Sequence, residues 1–531
     1  MYKAKSWFSN LICFSLFKSI FMNPNLVLFV VLGYFALLML IARITAKSDD
    51  NQQFFTAKKS SPWFVVAFGM IGASLSGVTF LSVPGAVGGG MFSYMQMVFG
   101  YLFGYVVIAN ILLPLYYKLN LTSIYTYLES RFGFFTYKTG ASFFLLSRII
   151  GASFRLFLVA NVFHKFVLAE FGIPFWATVV ITVLLIWVYT FRGGIKTIVW
   201  TDTLQTFFML LAVIITIAFI LTDLNWSVGE AIQNIASSEY SQIFVNDPAA
   251  GNYFWKHFLG GMFITIVMTG LDQDMMQKNL TCKNLGEAKK NVYSMSMALV
   301  PVNLLFLALG ALLYLYGINK GFLDWTTDTE LIASGKVLAL TSPEGVIGAF
   351  KMDELFPFLS FNYLPIVAGL SFIIGLTAAA YSSADSALTS LTTSFYIDIL
   401  GKDPEAKSTK DRKLVHVGFS IVLVLVILLF DALNNDSVIN ELFKLAGYTY
   451  GPLLGFYAFG LITKLKVHDK VVPAIALIAP LFTYVLSSNS FEWFGYNFGF
   501  ELLILNGILT FIGLWLSSFI KPKQDLQILD N

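Results

Sequence analysis

Residues 377–389 read TAAAYSSADSALT and lie inside a long apolar stretch that runs from 361 to 398. The polar residues in it recur at the three- and four-residue spacing of a single helix face: Ser382, Asp385, Ser386 and Thr389. Such a stripe offers hard oxygen ligands, which a small alkali cation requires. The alternative is that serine and alanine let helices pack closely in a membrane, but packing does not need the carboxylate of Asp385.

The whole chain has the composition of a membrane protein. Only 12% of its 531 residues are charged, 57% are hydrophobic and the mean hydropathy is +0.73. A water-soluble globule is excluded, because soluble domains carry about 25% charged residues. The net charge of +3 is too balanced for a nucleic-acid partner. The sequence contains no phosphate loop, nucleophile elbow or dinucleotide fingerprint, so we do not expect an enzyme.

Thirteen apolar runs are each long enough to cross a bilayer as a helix. They fall near residues 25–43, 62–86, 92–116, 139–167, 174–190, 200–222, 254–275, 291–318, 361–398, 414–430, 440–463, 471–487 and 499–520. Most of the 34 basic residues lie in one alternating set of loops, where Lys278 is counted with Lys283, Lys289 and Lys290. The positive-inside rule then predicts an all-α, multi-pass protein of the plasma (inner) membrane, with its N-terminus outside and its C-terminus in the cytoplasm.

Two spans have weak helical centres. One contains Gly69, Gly72, Ser74, Ser76 and Gly77, and the other contains Gly260, Gly261, Thr265, Thr269 and Gly270. These spans begin consecutive groups of five, which must have opposite topology. The pattern is typical of an inverted repeat whose interrupted first helices face a site at the membrane midplane. Unbroken membrane helices also contain glycine, so glycine alone does not decide between the two readings.

This organisation divides the chain into seven parts. They are a dispensable or signal-like segment at 1–24, an extra helix and cytoplasmic loop at 25–61, a first repeat at 62–222, an outside loop at 223–253, a second repeat at 254–463, two C-terminal helices at 464–520 and a cytoplasmic tail at 521–531. A further long outside loop, 319–360, has glycine, proline and acidic residues scattered among apolar pieces such as 330–340, and it is expected to contain a short surface helix.

Three motifs give the chain a resemblance to a known family. They are FTAKKSSPW at 55–63, RGGIKTIVWTDTLQ at 192–205, and AAYSSADS within 378–386, followed by Tyr396-Ile-Asp398. With these motifs the chain, from about residue 25 to 520, resembles the sodium:solute symporter family. The resemblance implies a LeuT-type fold of five-plus-five inverted repeats, with one extra helix before them and two after.

The resemblance also implies ion sites. In the family, the shared sodium site uses carbonyls of the unwound first repeat helix and paired serines of the eighth core helix. The carbonyls correspond here to those of Gly72 and Leu75, with a third from Ala379, and the hydroxyls to those of Ser382 and Ser383. Some members bind a second sodium ion, at positions that correspond to Asp202, Ser382, Asp385 and Ser386. The carboxylate of Asp385 departs from the serine expected there. Two carboxylates would bind a second ion more strongly, or one would carry a proton instead.

The substrate positions match the family less well. Those that correspond to sugar contacts fall near Thr79, Met95 or Gln96, Thr265, Met297 and Lys444, and the loss of polar groups at two of them argues against the same hexose contacts. Arg148 and Arg155 are seven residues apart and share a helix face. In this feature the chain resembles the sialic acid branch of the family, in which an arginine on this helix holds the substrate carboxylate. Arginine suits that role because its guanidinium group can bind a carboxylate through two hydrogen bonds. The alternative is that one of the two arginines neutralises Asp202 or Asp385.

These observations lead to one functional hypothesis and three alternatives. The hypothesis is a symporter that uses one or two sodium ions to import a small organic solute, such as a sugar, sialic acid or another carboxylate, by alternating access. Its partners are the solute and the lipid bilayer. Proton coupling through Asp202 and Asp385 is the nearest alternative. A passive facilitator fits less well because the polar residues cluster at the midplane, and a transporter-like sensor fits less well because the tail is short.

Overall fold

The computed structural model describes residues 24–45, 49–324, 336–339, 348–433, 438–496 and 498–520. The interpretation of residues 1–23 as signal-like or dispensable, and of 521–531 as a cytoplasmic tail, therefore lies outside the described residues.

Helices dominate the described chain. Those of its first half are α1 (Pro24–Thr45), α2 (Asn51–Thr56), α3 (Trp63–Gly90), α4 (Tyr94–Val107), α5 (Leu113–Lys118), α6 (Thr126–Arg131), α7 (Phe134–Phe163), α8 (Phe175–Leu224) and α9 (Val228–Ser237). A π-helical turn, Ile108–Leu112, joins α4 to α5. Helix α9 begins with a capping box, in which the Ser227 hydroxyl accepts from the backbone of Glu230 and the Glu230 carboxylate accepts from the backbone of Ser227.

The helices of the second half are α10 (Phe254–Thr265), α11 (Gln273–Asn279), α12 (Leu285–Asn319), α13 (Leu355–Asn362), α14 (Ile366–Ser394), α15 (Lys410–Leu433), α16 (Val438–Ile462), α17 (Val472–Phe494) and α18 (Leu502–Ser517). Helix α10 continues as a π-helical turn, Ile266–Gly270, and α14 as another, Phe395–Ile399.

Nine of the described helical runs are long and apolar enough to cross a membrane, or ten if the bent pair α10–α11 counts as one span. Each of the thirteen predicted spans overlaps a described helix. The helical, multi-pass class is therefore confirmed. The number thirteen, the orientation of the termini, the repeat boundaries and the inverted repeat itself stay predictions.

The long loop between α12 and α14 differs from its prediction. It contains a small antiparallel sheet of strands β1 (Leu323–Asp324), β2 (Lys336–Ala339) and β3 (Gly348–Lys351), in the order β1-β2-β3. In the apolar piece 330–340, Lys336–Ala339 is an extended strand because its backbone pairs with β3, and the rest of that piece lies outside the described residues. The short helix described at the end of this loop, α13, is largely buried and not on the surface.

The interior is built around α3 and α14. Their apolar windows are 83% and 72% buried, against 17% for α15 and 22% for the run that contains α17. A membrane helix that buries most of its circumference is surrounded by other helices instead of lipid. The two elements expected to hold the ion are therefore the central ones.

Helix α8 contains a break at Gly194, whose φ of +51° is unfavourable for any residue with a side chain. The position of Gly194 is also crowded, because a β-carbon there would lie 2.5 Å from the ring of Phe54 in α2. This glycine joins two predicted spans with no intervening loop and leaves Asp202 within the second of them.

Candidate ion and solute site

Helix α3 is interrupted at Ser76, where φ is 55° and ψ is 173°. The break predicted between Gly69 and Gly77 is confirmed. Carbonyl groups next to such a break lose their helical partners and become available to a ligand. Gly72 and Leu75, whose carbonyl oxygens are the predicted ligands of the ion, lie in the turn that precedes the break.

Small residues bring α3 close to its neighbours at this break. The backbone N–H of Gly72 donates to the Thr206 hydroxyl of α8 at 3.1 Å, and a β-carbon on Gly72 would lie 2.2 Å from that oxygen. On the other side of the break, a β-carbon on Gly77 would lie 3.7 Å from Cα of Ala380 in α14. The break is therefore packed directly between α8 and α14.

A cavity opens beside the break and holds about 790 Å³ of empty space, including its mouth. Its lining comes from α3, α4, α7, α10, the π-helical turn after α10, α11 and α12, and combines hydroxyl groups, an amide and two arginines with apolar side chains. The polar lining residues are Ser74, Ser76, Thr79, Tyr94, Tyr101, Tyr105, Arg148, Arg155, Thr265, Thr269 and Asn303. Mixed apolar and convergent polar lining is typical of small-molecule sites.

The two arginines differ in their partners. Arg148 is buried and pairs with Asp274, and it lies 3.6 Å from Asp272. Arg155 makes no ion pair or hydrogen bond with the described side chains, and its Nε has no partner. The prediction that one arginine neutralises Asp202 or Asp385 is wrong for Arg148, because its carboxylate partners lie on and beside α11.

Helix α14 brings the predicted oxygen stripe into the interior. Ser382, Ser383, Asp385 and Ser386 are all at most 2% exposed. The Ser383 hydroxyl makes only a long bond of 3.4 Å to the carbonyl of Ala379. The Ser382 hydroxyl donates to Asp202 Oδ1 at 2.7 Å, which leaves its oxygen lone pairs open to a cation.

Asp202 has a cationic partner that the sequence did not indicate. Lys278 Nζ lies 2.8 Å from Asp202 Oδ2, and both side chains are 1% exposed. Lys278 was counted among the loop charges from the sequence, but the structure places it on α11 with a buried side chain, so it is not a loop residue. Asp385 instead accepts a hydrogen bond of 2.9 Å from Tyr189, and its Oδ1 has no partner among the described residues.

The second weak span is also interrupted. Helices α10 and α11 meet at a 69° bend after Gly270, and Asp272 and Asp274 lie at the start of α11. Tyr450 of α16 donates to Asp272, and Ser386 of α14 donates to Asp274 at 3.2 Å. The sequence reading missed these two aspartates because LDQDMMQK resembles the beginning of a polar loop.

Of the predicted solute contacts, Thr79, Thr265, Arg148 and Arg155 line the cavity. Gln96 does not: its amide donates to the carbonyl of Asn252 at 2.9 Å and accepts from the backbone of Val245, so it fixes the loop before α10. The side chain of Lys444 lies outside the described part of the structure. Asn303 was missed, although a lone asparagine within the apolar run of α12 is a detectable signal.

The fold and the site together define a membrane transporter of LeuT-like architecture. A solved structure described as the substrate-bound outward-open state of a Na⁺-coupled sialic acid symporter matches with a TM-score of 0.75 and 20% identity, over 93% of this chain and 98% of that one. At that identity the match establishes the fold.

Sequence comparison then gives the family. The model of the sodium:solute symporter family matches residues 54–459. The sodium/sialic acid symporter NanT of Aliivibrio fischeri is 26% identical over 511 residues, which is 90% of this chain and 92% of that protein. The sodium-coupled monocarboxylate transporter 1 of Mus musculus is 25% identical over 424 residues, 78% of this chain and 64% of that protein. This chain belongs to the sodium:solute symporter family, which is a family of transporters.

Proposed function

We propose that this protein is a secondary active symporter of the plasma membrane that imports a small organic acid together with sodium. The observation that carries the proposal is Arg155, a cavity-lining cation with no carboxylate partner among the described residues, beside the interrupted α3. A guanidinium group in such a place suits bidentate recognition of a carboxylate.

The sodium site proposed here consists of oxygens from α3 and α14. The carbonyls of Gly72, Leu75 and Ala379 and the hydroxyls of Ser382 and Ser383 supply five hard ligands without a carboxylate. Three observations support it: the break at Ser76, the close approach of Gly77 to Ala380, and the weak engagement of the Ser383 hydroxyl. A sodium ion bound there would draw α3 against α14.

Coupling follows from linkage between the two ligands. Leu75 and Ser76 line the solute cavity, so an ion that fixes the α3 break also fixes one wall of that cavity. Each ligand then favours the state that binds the other, by the same free energy. One inward charge contributes about 2.3 kcal/mol per 100 mV of membrane potential, and a tenfold sodium gradient adds about 1.4 kcal/mol.

The solute class proposed is a small carboxylate whose polar remainder contacts hydroxyl and amide groups. Arg155 would bind the carboxylate, and Thr79, Thr265 and Asn303 would accept or donate hydrogen bonds farther along the cavity. Arg148 is not assigned to the solute, because it is already paired with Asp274 and lies near Asp272. Relatives named for sialic acid and for monocarboxylates support this class.

Proton coupling is the second candidate, and Asp385 is the observation that favours it. Its unpartnered Oδ1 is buried beside the Asp202–Lys278 pair, and a proton is one way to neutralise such a carboxylate. A second sodium site was also predicted, at Asp202, Ser382, Asp385 and Ser386. Lys278 already places a cation beside one of these ligands, Asp202.

The test is solute uptake by proteoliposomes under a sodium gradient, a potassium gradient and a proton gradient. The panel contains sialic acid, lactate-like monocarboxylates and hexoses. We expect sodium-driven uptake of a carboxylate and no stimulation by potassium. Uptake that follows the proton gradient at constant sodium would contradict sodium coupling and favour Asp385.

Variants of Arg155 test whether its side chain binds the carboxylate of the solute. Arg155→Gln should raise the KM for the carboxylate about 10- to 100-fold, since a charge-assisted hydrogen bond contributes about 1.5–3 kcal/mol. Arg155→Lys should recover part of that loss. Arg43→Gln, at an exposed position of α1, is the matched control and should leave KM unchanged. An unchanged KM in Arg155→Gln would remove the carboxylate assignment.

A further inference from the structure

Lys278 is a lysine buried inside a membrane protein, where an ammonium group is costly to keep. It is 1% exposed, and its Nζ has no hydrogen bond within the described structure apart from the ionic contact with Asp202. A lysine that only anchored α11 could reach a backbone carbonyl or water. This one is directed at a single carboxylate oxygen.

The ammonium group of Lys278 lies beside a carboxylate that was predicted to bind sodium. Asp202 Oδ1 already accepts the Ser382 hydroxyl of α14, and Asp202 Oδ2 faces Lys278. Asp202 and Ser382 are two of the four residues predicted as ligands of a second sodium ion. The ammonium group therefore contacts the same carboxylate that a sodium ion would need.

A sodium ion and Lys278 would compete for Asp202. If sodium bound beside the ammonium group, two cations would share one carboxylate in a region shielded from water, where like charges repel strongly. The lysine is covalently attached, so its effective concentration at the carboxylate is high in every state in which α11 stays in place.

We infer that the Lys278 ammonium group is a built-in cation that takes the place of a second sodium ion, so that one sodium ion is bound per transport cycle. The inference rests on the proposed sodium-coupled function and concerns its stoichiometry. The ion pair joins α8 to α11, and Asp202 also accepts the Ser382 hydroxyl of α14, so the pair includes two of the four residues that a second ion would contact.

The position of Lys278 relative to the bend has a mechanical consequence. Helix α11 follows the 69° bend after Gly270 and carries Lys278 near its end. The cation therefore moves with α11 and needs no concentration gradient to return. Docking of α11 against Asp202 becomes independent of the sodium concentration, whereas closure of the α3 break still depends on it.

The first measurement counts sodium on the wild-type protein and needs no variant. Equilibrium binding of ²²Na⁺ to the purified protein should saturate at one ion per chain, and uptake should rise with sodium with a Hill coefficient near one. Two ions per chain, or a Hill coefficient near two, would overturn the inference but leave sodium coupling intact. Uptake that is equal in sodium and potassium would instead refute the proposed function.

The second measurement asks whether removal of the lysine creates a site. In Lys278→Met, which keeps an unbranched side chain one atom shorter and without charge, we expect a second ²²Na⁺ to bind and the Hill coefficient to rise towards two. Lys278→Arg is the matched control and should still bind one ion. A folded Lys278→Met protein that binds one ion would count against the inference, and folding is checked by a monodisperse elution profile.

Discussion

The two interrupted helices of this protein differ in the residues that surround the break. The break in α3 lies in a helix without any charged residue, and its neighbours approach through glycines. The break between α10 and α11 is followed by Asp272, Asp274 and Lys278, each held by an oppositely charged or hydroxyl partner. The first break is surrounded by glycines and uncharged hydroxyl groups, and the second is surrounded by buried ion pairs.

This difference indicates where a movable ion acts. In the proposed sodium site, carbonyls and hydroxyls beside the α3 break would gain a ligand when sodium binds, so the ion would change the stability of that region. The α11 region already contains its cations, Arg148 and Lys278, as covalent parts of the chain. We therefore expect sodium to act on the α3 break and the fixed charges to determine whether the α11 half folds at all.

The largest effect is expected from removal of Arg148. Arg148→Gln leaves Asp272 and Asp274 buried without their cation, and loss of one partner of a buried ion pair costs about 3–5 kcal/mol. The thermal midpoint of the detergent-solubilised protein should fall, or the protein should fail to elute as a single species. The double variant with Asp274→Asn should regain part of the loss, because fewer unpaired charges stay buried.

The control for this experiment is Arg43→Gln, which changes the same charge at an exposed position. It should leave the midpoint unchanged. If Arg148→Gln is as stable as the control but fails to bind a carboxylate solute, Arg148 is a solute contact and the description of α11 as permanently ion-paired is incorrect.

A smaller effect, confined to sodium, is expected at Ser383. Ser383→Ala removes one proposed ligand of the ion, and a bond to a charged group contributes about 1.5–3 kcal/mol. The sodium concentration for half-maximal stabilisation should rise about 10-fold or more, as measured by thermal shift in sodium against potassium. Stability without sodium should be close to that of the wild type, because the Ser383 hydroxyl makes only a 3.4 Å contact.

Ser390→Ala is the matched control, since Ser390 is another buried serine of α14, bonded to the carbonyl of Ala387. It should keep the sodium response of the wild type. An equal loss in both variants would mean that the effect comes from α14 packing and not from an ion at the α3 break.

The contrast between the two breaks also explains what the sequence can predict. The α3 break is detectable because its cause is local: five glycines and serines between Gly69 and Gly77 weaken the helix whatever surrounds it. The oxygen stripe on α14 is detectable for the same reason, since helical spacing alone places Ser382, Asp385 and Ser386 on one face.

The α11 region was missed because its cause is not local. Asp272, Asp274 and Lys278 resemble a polar loop until Arg148 of α7 and Asp202 of α8 are placed beside them. A count of positive charges assigns Lys278 to the cytoplasm for the same reason. Pairing across the fold is what makes these charges tolerable in the protein interior, and no short window of sequence contains both partners.

The smallest of the expected effects tests the packing of the α3 break itself. Gly72→Ala places a methyl group 2.2 Å from the Thr206 hydroxyl, so α3 and α8 must separate or Thr206 must turn away. Overpacking of this kind costs about 1–3 kcal/mol and should lower the thermal midpoint. Gly33→Ala is the matched control, because a β-carbon on Gly33 of α1 meets nothing within 4 Å and alanine favours a helix.

If sodium binds at the carbonyl of Gly72, the Gly72→Ala variant should also respond more weakly to sodium, since the displaced backbone carries a ligand. A variant that loses stability but keeps the full sodium response would place the ion away from Gly72, and the comparison of the two breaks would then rest on Leu75 and the α14 serines.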